Sequence, residues 1–151
     1  MLALDLYGFR DKLQTRAVNS KTQIFCIVRK QWVSLEPEEV VRQLFLQHCI
    51  TVEEYPTSLI SVEKAIIVNG LTKRYDIAVY DRSASPLILV ECKAPTVTLD
   101  DQTLFQATQY NSTLVAPFLV VTNGMTSFGF SIDHERRTAV PVNVLPAIPA
   151  L

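Results

Sequence analysis

Three residues that could do chemistry together lie at the ends of two neighbouring predicted strands. Residues 87–92 form a nearly continuous apolar run, which predicts a central strand covered on both faces. The run ends in Glu91 and Cys92 and is followed directly by Lys93. Because side chains two apart in a strand share a face, Glu91 and Lys93 lie on one side and Cys92 on the other. Burying both charges is costly unless they are paired or bind an ion.

Asp76 is the predicted neighbour of Glu91 across a hairpin. The segment 81–86 reads as a turn, and if that turn is centred between Ser83 and Ala84, residue 76 lies opposite residue 91. Directly opposed side chains have Cβ atoms about 4.5–5.5 Å apart. Two carboxylates at that distance repel each other unless one is protonated or a cation lies between them. Carboxylate oxygens suit Mg²⁺, which typically takes one or two of them and keeps several waters.

These residues therefore predict a magnesium site with Asp76 and Glu91 as ligands and with Mn²⁺ able to substitute. The backbone carbonyl of Cys92 could add an oxygen, and Glu38, on the rim of a helix, could reach the cation directly or through water. Such a cation polarises a phosphoryl oxygen and lowers the pKa of a bound water. Lys93 could position that water or stabilise the developing negative charge.

The elements that must position these residues alternate as helix, three strands, helix and strand. A helix is predicted from Pro37, with one apolar face on the core, Glu38 at the edge of that face and Glu39 pointing outward. Three β-like stretches follow, and Asn69-Gly70 is a hairpin turn between the first two. The predicted β-like stretches are 60–68, 74–80 and 87–92.

A second predicted helix begins at the Asp100-Asp101 cap and is followed by a buried strand, 118–122. Hairpins are predicted at both ends of the chain, from 23–28 with 32–35 and from Phe128 to Val144. This order predicts a mixed central sheet flanked by helices, in a single domain covering residues 1–151.

Asp76 followed by Glu91-x-Lys93 on the neighbouring strand resembles the signature of the PD-(D/E)XK nucleases, with Tyr75 at the position of the proline. Further motifs between about Glu36 and Gly124 resemble the N-terminal nuclease domain of type I restriction enzyme R subunits. Those motifs are Pro37-Glu-Glu-Val-Val-Arg42, Val62-Glu-Lys64, Lys73-Arg-Tyr-Asp-Ile77, Val90-Glu-Cys-Lys-Ala-Pro95 and Val121-Thr-Asn-Gly124. Gln106-Ala-Thr-Gln-Tyr110 is similar to the Q-x-x-x-Y motif that these domains share with RecB-like nucleases.

The resemblance implies a restriction-endonuclease-like α/β core, αβββαβ, with the predicted hairpins as additions at its ends. It implies a nuclease that hydrolyses DNA, in which Asp76, Glu91 and Lys93 are the metal-binding and catalytic residues. Gln106 and Tyr110 would support the site and contact DNA. Restriction-modification subunits or a helicase partner are the implied protein partners, because no G-x-x-x-x-G-K-[ST] motif for an ATP-driven motor is present.

The near-neutral charge of the chain argues against tight DNA binding. The chain has 151 residues, 14 basic and 15 acidic side chains, and a net charge of −1. Tight, free-standing DNA binders usually carry excess Lys and Arg, although a bound cation changes the local field. No apolar run approaches the ~20 residues needed to cross a bilayer. The three cysteines are widely spaced, with no C-x-x-C pair, and are predicted to be buried thiols. We therefore expect a soluble cytoplasmic protein without a membrane partner.

Two other readings of the same residues stay open. One is a catalytically inactive nuclease-fold module that binds DNA or a partner protein. The other is a buried Glu91–Lys93 ion pair in an unrelated α/β fold, with Gln106 and Tyr110 an ordinary polar pair on a helix. The sequence leaves open DNA against RNA, endo- against exonucleolytic cleavage, and the oligomeric state.

Overall fold

The computed structural model describes residues 1–151 and contains two α helices and eleven strands. In chain order the elements are β1 (Thr15–Val18), β2 (Lys21–Cys26), β3 (Gln31–Ser34), α1 (Pro37–Thr51), β4 (Ile60–Val62), β5 (Ala65–Val68), β6 (Leu71–Arg74), β7 (Ile77–Tyr80), β8 (Pro86–Cys92), α2 (Asp101–Leu114), β9 (Phe118–Thr122), β10 (Ser127–Asp133) and β11 (Thr138–Val142). Short 3₁₀ helices precede β1 and β4.

Six of the strands form the central sheet, in the order β11-β10-β9-β8-β7-β4. Strands β8 and β9 are parallel, and every other neighbouring pair in this sheet is antiparallel. A crossover between parallel strands needs a long connection, and α2 supplies it. The predicted mixed sheet is confirmed.

The two faces of the sheet carry separate apolar clusters. Helix α1 covers one face, where Leu44 and Phe45 belong to the same cluster as Val90. Helix α2 covers the other, where Ala107 packs in a cluster with Leu89. Ile88, Val90 and Cys92 belong to the first cluster and Leu89 to the second. Because residues 88–92 are also all buried, the prediction of a central strand covered on both sides is confirmed.

The connection between β7 and β8 is the turn predicted for residues 81–86. Oδ1 of Asp81 accepts hydrogen bonds from the amides of Ser83 and Ser85, at 2.9 and 3.0 Å, and Ala84 has a positive φ of 62°. Next to this turn Tyr80 pairs with Pro86, and a bulge between Val79 and Tyr80 then shifts the register so that Ile77 pairs with Val90.

Two predicted strands are each broken in two. The predicted stretch 60–68 divides at Glu63, where φ is 51°, a conformation that interrupts a β ladder. The predicted strand 74–80 divides at Tyr75 and Asp76. The pieces β5 and β6 form a separate two-stranded ribbon, and its turn, Asn69-Gly70, has positive φ at both residues, as a type I′ hairpin requires.

Both terminal hairpins are confirmed. Strands β10 and β11 pair at the C-terminal end, and β2 and β3 pair at the N-terminal end, where the unpredicted β1 adds a third strand. Cys26, Cys49 and Cys92 are free and buried, as predicted. Neither helix has the length and apolar character that crossing a membrane would require.

Candidate active site

Asp76 lies just before β7 and is held by two hydrogen bonds. Its Oδ2 accepts from the backbone amide of Cys92, at 2.8 Å, and its Oδ1 accepts from the guanidinium of Arg42, at 2.6 Å. The register that pairs Ile77 with Val90 brings the preceding residue, Asp76, to the position opposite Glu91. The structure thus brings the two predicted carboxylates together across β7 and β8.

Among the buried acids, Glu91 is the one with a carboxylate oxygen that lacks a hydrogen-bond partner. Its side chain is 6% exposed, and its Oε1 is buried with no hydrogen-bond partner. Burial, followed by the charge of the neighbouring Asp76, raises the pKa of Glu91 to about 8. At neutral pH Glu91 therefore holds a proton unless a cation takes the place of that proton.

Glu38 and Lys93 border this pair. Burial raises the pKa of Glu38, Asp76 raises it further, and Lys93 opposes the shift. Lys93 also favours the charged form of Glu91, but it forms no salt bridge within 4.0 Å of any carboxylate, which leaves its ammonium group free. The side chain of Glu38 is about half exposed and lies 3.9 Å from Arg42.

The expectation that Glu39 points outward is wrong. Its side chain is buried, with Arg42, Gln43 and Arg29 as hydrogen-bond donors. Arg42 and Gln43 follow Glu39 by three and four residues and so lie on the same side of α1. That side faces Arg29, in the turn between β2 and β3, rather than solvent, because the N-terminal sheet lies against it.

Arg42 links these acids into one network that sequence reasoning missed. It contacts Glu39 and Asp76, and it also lies 3.1 Å from Glu63. Glu63 in turn lies 2.9 Å from Arg29. Although burial lowers the pKa of Arg42, the hydrogen bond and charge of Asp76 raise it above its ordinary value, so Arg42 stays charged. The one sequence feature that points to this network is the i, i+3 spacing of Glu39 and Arg42, which puts the two side chains on the same side of α1.

Gln106 and Tyr110 lie on α2, on the sheet face that carries Leu89. Since Leu89 and Glu91 are two apart on β8, Glu91 shares that face. Tyr110 is half-buried against the apolar cluster of Leu89, whereas Gln106 is exposed. Neither side chain forms a hydrogen bond with the acidic pair.

Tyr75, at the position of the proline, is a core residue. It is fully buried in the α2-side cluster, and its hydroxyl donates a hydrogen bond to Ser61, at 2.9 Å. Cys92 is equally buried, and burial raises the pKa of its thiol. Its side chain lies in the α1-side cluster, so only its backbone carbonyl could serve a cation.

The donor set fits a hard cation better than it fits zinc or another soft metal. No group of three or more His, Cys, Asp and Glu side chains is arranged as a complete ligand shell. Two carboxylates with an orphaned oxygen, Oε1 of Glu91, do fit Mg²⁺, which keeps several waters and needs few protein ligands. The Asp76 oxygens already accept hydrogen bonds, so a cation would have to share or replace one of these contacts.

Comparison with solved structures gives the class of fold. The chain is similar to a fragment described as an HsdR subunit of a type I restriction enzyme from Vibrio vulnificus YJ016, with a TM-score of 0.54 and 18% identity. The match covers 75% of this chain and 24% of that one, so the chain spans about a quarter of its length. The fold is therefore one found in restriction-enzyme R subunits.

The sequence itself defines the family more closely. Residues 37–149 match the family described as Type I restriction enzyme R protein N terminus, and the chain belongs to it. The resemblance drawn from the motifs is confirmed, and the match extends past Gly124 through the last hairpin. Comparison with curated protein sequences finds no match.

Proposed function

We propose that the chain is a metal-dependent nuclease module that hydrolyses DNA phosphodiester bonds, with Asp76, Glu91 and Lys93 as its catalytic residues. The observation that carries the proposal is the contact between Asp76 and Glu91. The pKa of Glu91 is raised to about 8 by burial and by Asp76, and its Oε1 has no partner. A buried pair of like charges is unfavourable unless it serves a cation or a proton.

Each residue has a role that its surroundings support. Asp76 and Glu91 would hold Mg²⁺ or Mn²⁺, with Glu38 and the Cys92 carbonyl as further oxygens, and the cation would supply Lewis-acid activation of the phosphodiester. Lys93, without a salt bridge of its own, stabilises negative charge that develops on the phosphate. Arg42 positions Asp76, and Gln106 and Tyr110 on α2 are proposed to contact DNA.

The test is cleavage of plasmid and linear DNA by the purified chain in Mg²⁺ or Mn²⁺. Cutting is expected in the wild type and should be lost in Asp76→Asn and in Lys93→Ala. Asp133→Asn, a matched change at the exposed end of β10, should cut like the wild type. Cleavage by Asp76→Asn at the wild-type rate would exclude this site.

A catalytically inactive module that binds DNA or a partner protein is the second candidate. It is favoured by the occupied Asp76, whose two oxygens accept from Arg42 and from Cys92. Restriction-modification subunits or a helicase are the proposed partners in either case. This candidate predicts no cleavage with either metal and a chain that co-purifies with such a partner, and cutting by the isolated chain would remove it.

A further inference from the structure

The positive charge of the chain is concentrated in its N-terminal segment. Residues 12–35 contain five basic side chains and no acidic one, whereas the rest of the chain holds nine of the 14 basic residues and all 15 acidic ones. These five are Lys12, Arg16, Lys21, Arg29 and Lys30. Only Arg29 forms salt bridges, so four charges are left without a carboxylate partner. The segment also lies outside the family match, which begins at residue 37.

The segment folds into the three-stranded sheet β1-β2-β3, whose two faces differ. Ile24 and Cys26 on β2 point to the protein interior and are fully buried. The alternate residues of β2, with the residues paired to them on β1 and β3, form the opposite face, which we call the aromatic face. Its members are Arg16, Val18, Lys21, Gln23, Phe25, Trp32 and Ser34.

The aromatic face carries two rings that belong to neither apolar cluster. Phe25 pairs directly with Trp32 across β2 and β3, and the rings meet edge to face with centroids 5.3 Å apart. Both side chains are half-buried. The guanidinium of Arg16 stacks 4.3 Å from the Trp32 ring, and Nε of Arg16 donates to Gln23 at 2.8 Å.

We propose that the aromatic face binds single-stranded nucleic acid. Partly accessible aromatic rings beside basic side chains without a carboxylate partner are the two features such binding uses, because bases stack on the rings while the charges contact phosphates. A duplex offers its phosphates but not its base faces, so single strands should bind more tightly. Lys21 and Arg16 are the phosphate contacts, and Trp32 and Phe25 are the stacking rings.

The aromatic face is continuous with the candidate active site. Ser34, on that face, lines a cleft of about 390 Å³ together with Glu38 and Arg42. A nucleic-acid strand that leaves the face past Ser34 would therefore enter this cleft beside Glu38 and Arg42, which border the candidate active site, although Asp76 and Glu91 do not line the cleft. Only this route into the site rests on the proposed function; binding at the face does not require cleavage.

The test uses Trp32, the single tryptophan of the chain. An oligothymidylate of about ten nucleotides is titrated in EDTA, so that no cleavage can occur. Binding at the face should quench the Trp32 fluorescence, and the affinity should fall as salt rises. No change in fluorescence, or duplex DNA bound as tightly as the single strand, would overturn the proposal. A single-stranded RNA titration tells whether the sugar matters.

Matched variants distinguish binding at the aromatic face from nonspecific attraction to positive charge. By anisotropy of a labelled oligothymidylate, Arg16→Ala with Lys21→Ala should weaken binding by about tenfold at low salt and flatten the salt dependence. Arg82→Ala with Arg136→Ala, which removes the same charge elsewhere, should leave the affinity near that of the wild type. An equal loss in the two double variants would contradict a defined site.

A second pair of variants tests whether bases stack on the rings of the aromatic face. Phe25→Leu should weaken binding by about fivefold or more, while Phe105→Leu, at an exposed ring on α2, should not. Circular dichroism checks that each variant is folded. Single-strand binding without DNA cleavage would leave this proposal standing and remove the proposed function; cleavage without quenching of Trp32 would do the reverse.

Discussion

The guanidinium of Arg42 lies 2.6 Å from Oδ1 of Asp76, so the carboxylate proposed to take a metal ion is already paired with a cation. The same arginine contacts Glu39 and Glu63. Charged side chains from the start of α1, from the segment after β4 and from the residue before β7 thus form one network. Stability and metal binding at this site are expected to be coupled through Arg42.

Removing Arg42 should destabilise the fold. Arg42→Ala leaves Glu39 and Asp76 buried without their cationic partner, and breaking a buried pair from one side typically costs about 3–5 kcal/mol. Urea unfolding at pH 7 in EDTA measures this loss. Arg136→Ala, at an exposed position with one weak contact to Asp133, should change the free energy of unfolding by less than about 1 kcal/mol. Equal losses in the two variants would mean that the network does not stabilise the protein.

Glu91 should make stability depend on pH. Its pKa is raised to about 8 in the folded protein, so the folded state binds this proton more tightly than the unfolded state does. The stabilisation is fully present below the ordinary pKa of a glutamate and is lost as pH rises through about 8. Without metal, the free energy of unfolding should fall over this window by at most about 1.4 kcal/mol per pH unit.

Glu91→Gln isolates that effect from other titrating groups. The glutamine cannot ionise, so the variant should lose less stability than the wild type between about pH 5 and 8 and be the more stable protein above pH 8. The measurement is the midpoint of urea unfolding from pH 5 to 9, with the m-value determined at each pH. Parallel curves for the two proteins would contradict the raised pKa.

Metal binding should release a proton. Because Glu91 is protonated below about pH 8, Mn²⁺ must displace that proton, and its affinity should rise with pH by up to about tenfold per unit until pH 8. Calorimetry in two buffers of different ionisation enthalpy counts the protons released. Glu91→Gln should bind more weakly and without this pH dependence, and a pH-independent affinity in the wild type would argue against Glu91 as a ligand.

Lys93 should act on the cleavage rate more than on folding or metal affinity, where its effect is limited to favouring the charged form of Glu91. If its ammonium group stabilises charge in the transition state, Lys93→Ala should lower the cleavage rate by about 10²–10³-fold. Lys64→Ala removes an exposed lysine near the ribbon and should leave the rate close to wild type. The paired measurements are cleavage rate and Mn²⁺ affinity, and a loss confined to affinity would move Lys93 out of the chemistry.

The acidic pair could be predicted because local rules determine it. A turn centred between Ser83 and Ala84 gives the observed pairing of Ile77 with Val90, and so brings Asp76 opposite Glu91, although the structure reaches this register through a bulge at Val79 and Tyr80. The apolar run of β8 likewise identifies the central strand. These features depend on residues close together in the chain, so the core order and the candidate pair follow from the sequence.

The Arg42 network could not be predicted because it depends on distant segments. Arg29 and Glu63 lie 34 residues apart, and they meet beside α1 from two separate places, the turn between β2 and β3 and the segment that follows β4. For the same reason Glu39 was predicted to face solvent. The break between β4 and β5 depends on the positive φ of Glu63. A glycine would have indicated such a conformation in the sequence, and this position holds none.

The central claim is that Asp76 and Glu91 share one hard cation. The most direct measurement is a crystal structure grown or soaked with Mn²⁺ at about pH 8, where Glu91 has lost much of its proton, with anomalous data collected near the manganese edge. We expect one anomalous peak between these two side chains, with an oxygen of each bound to the ion and the contact between Arg42 and Asp76 lengthened or lost. Crystals that hold Mn²⁺ elsewhere, with that contact intact and no peak beside Glu91, would contradict it.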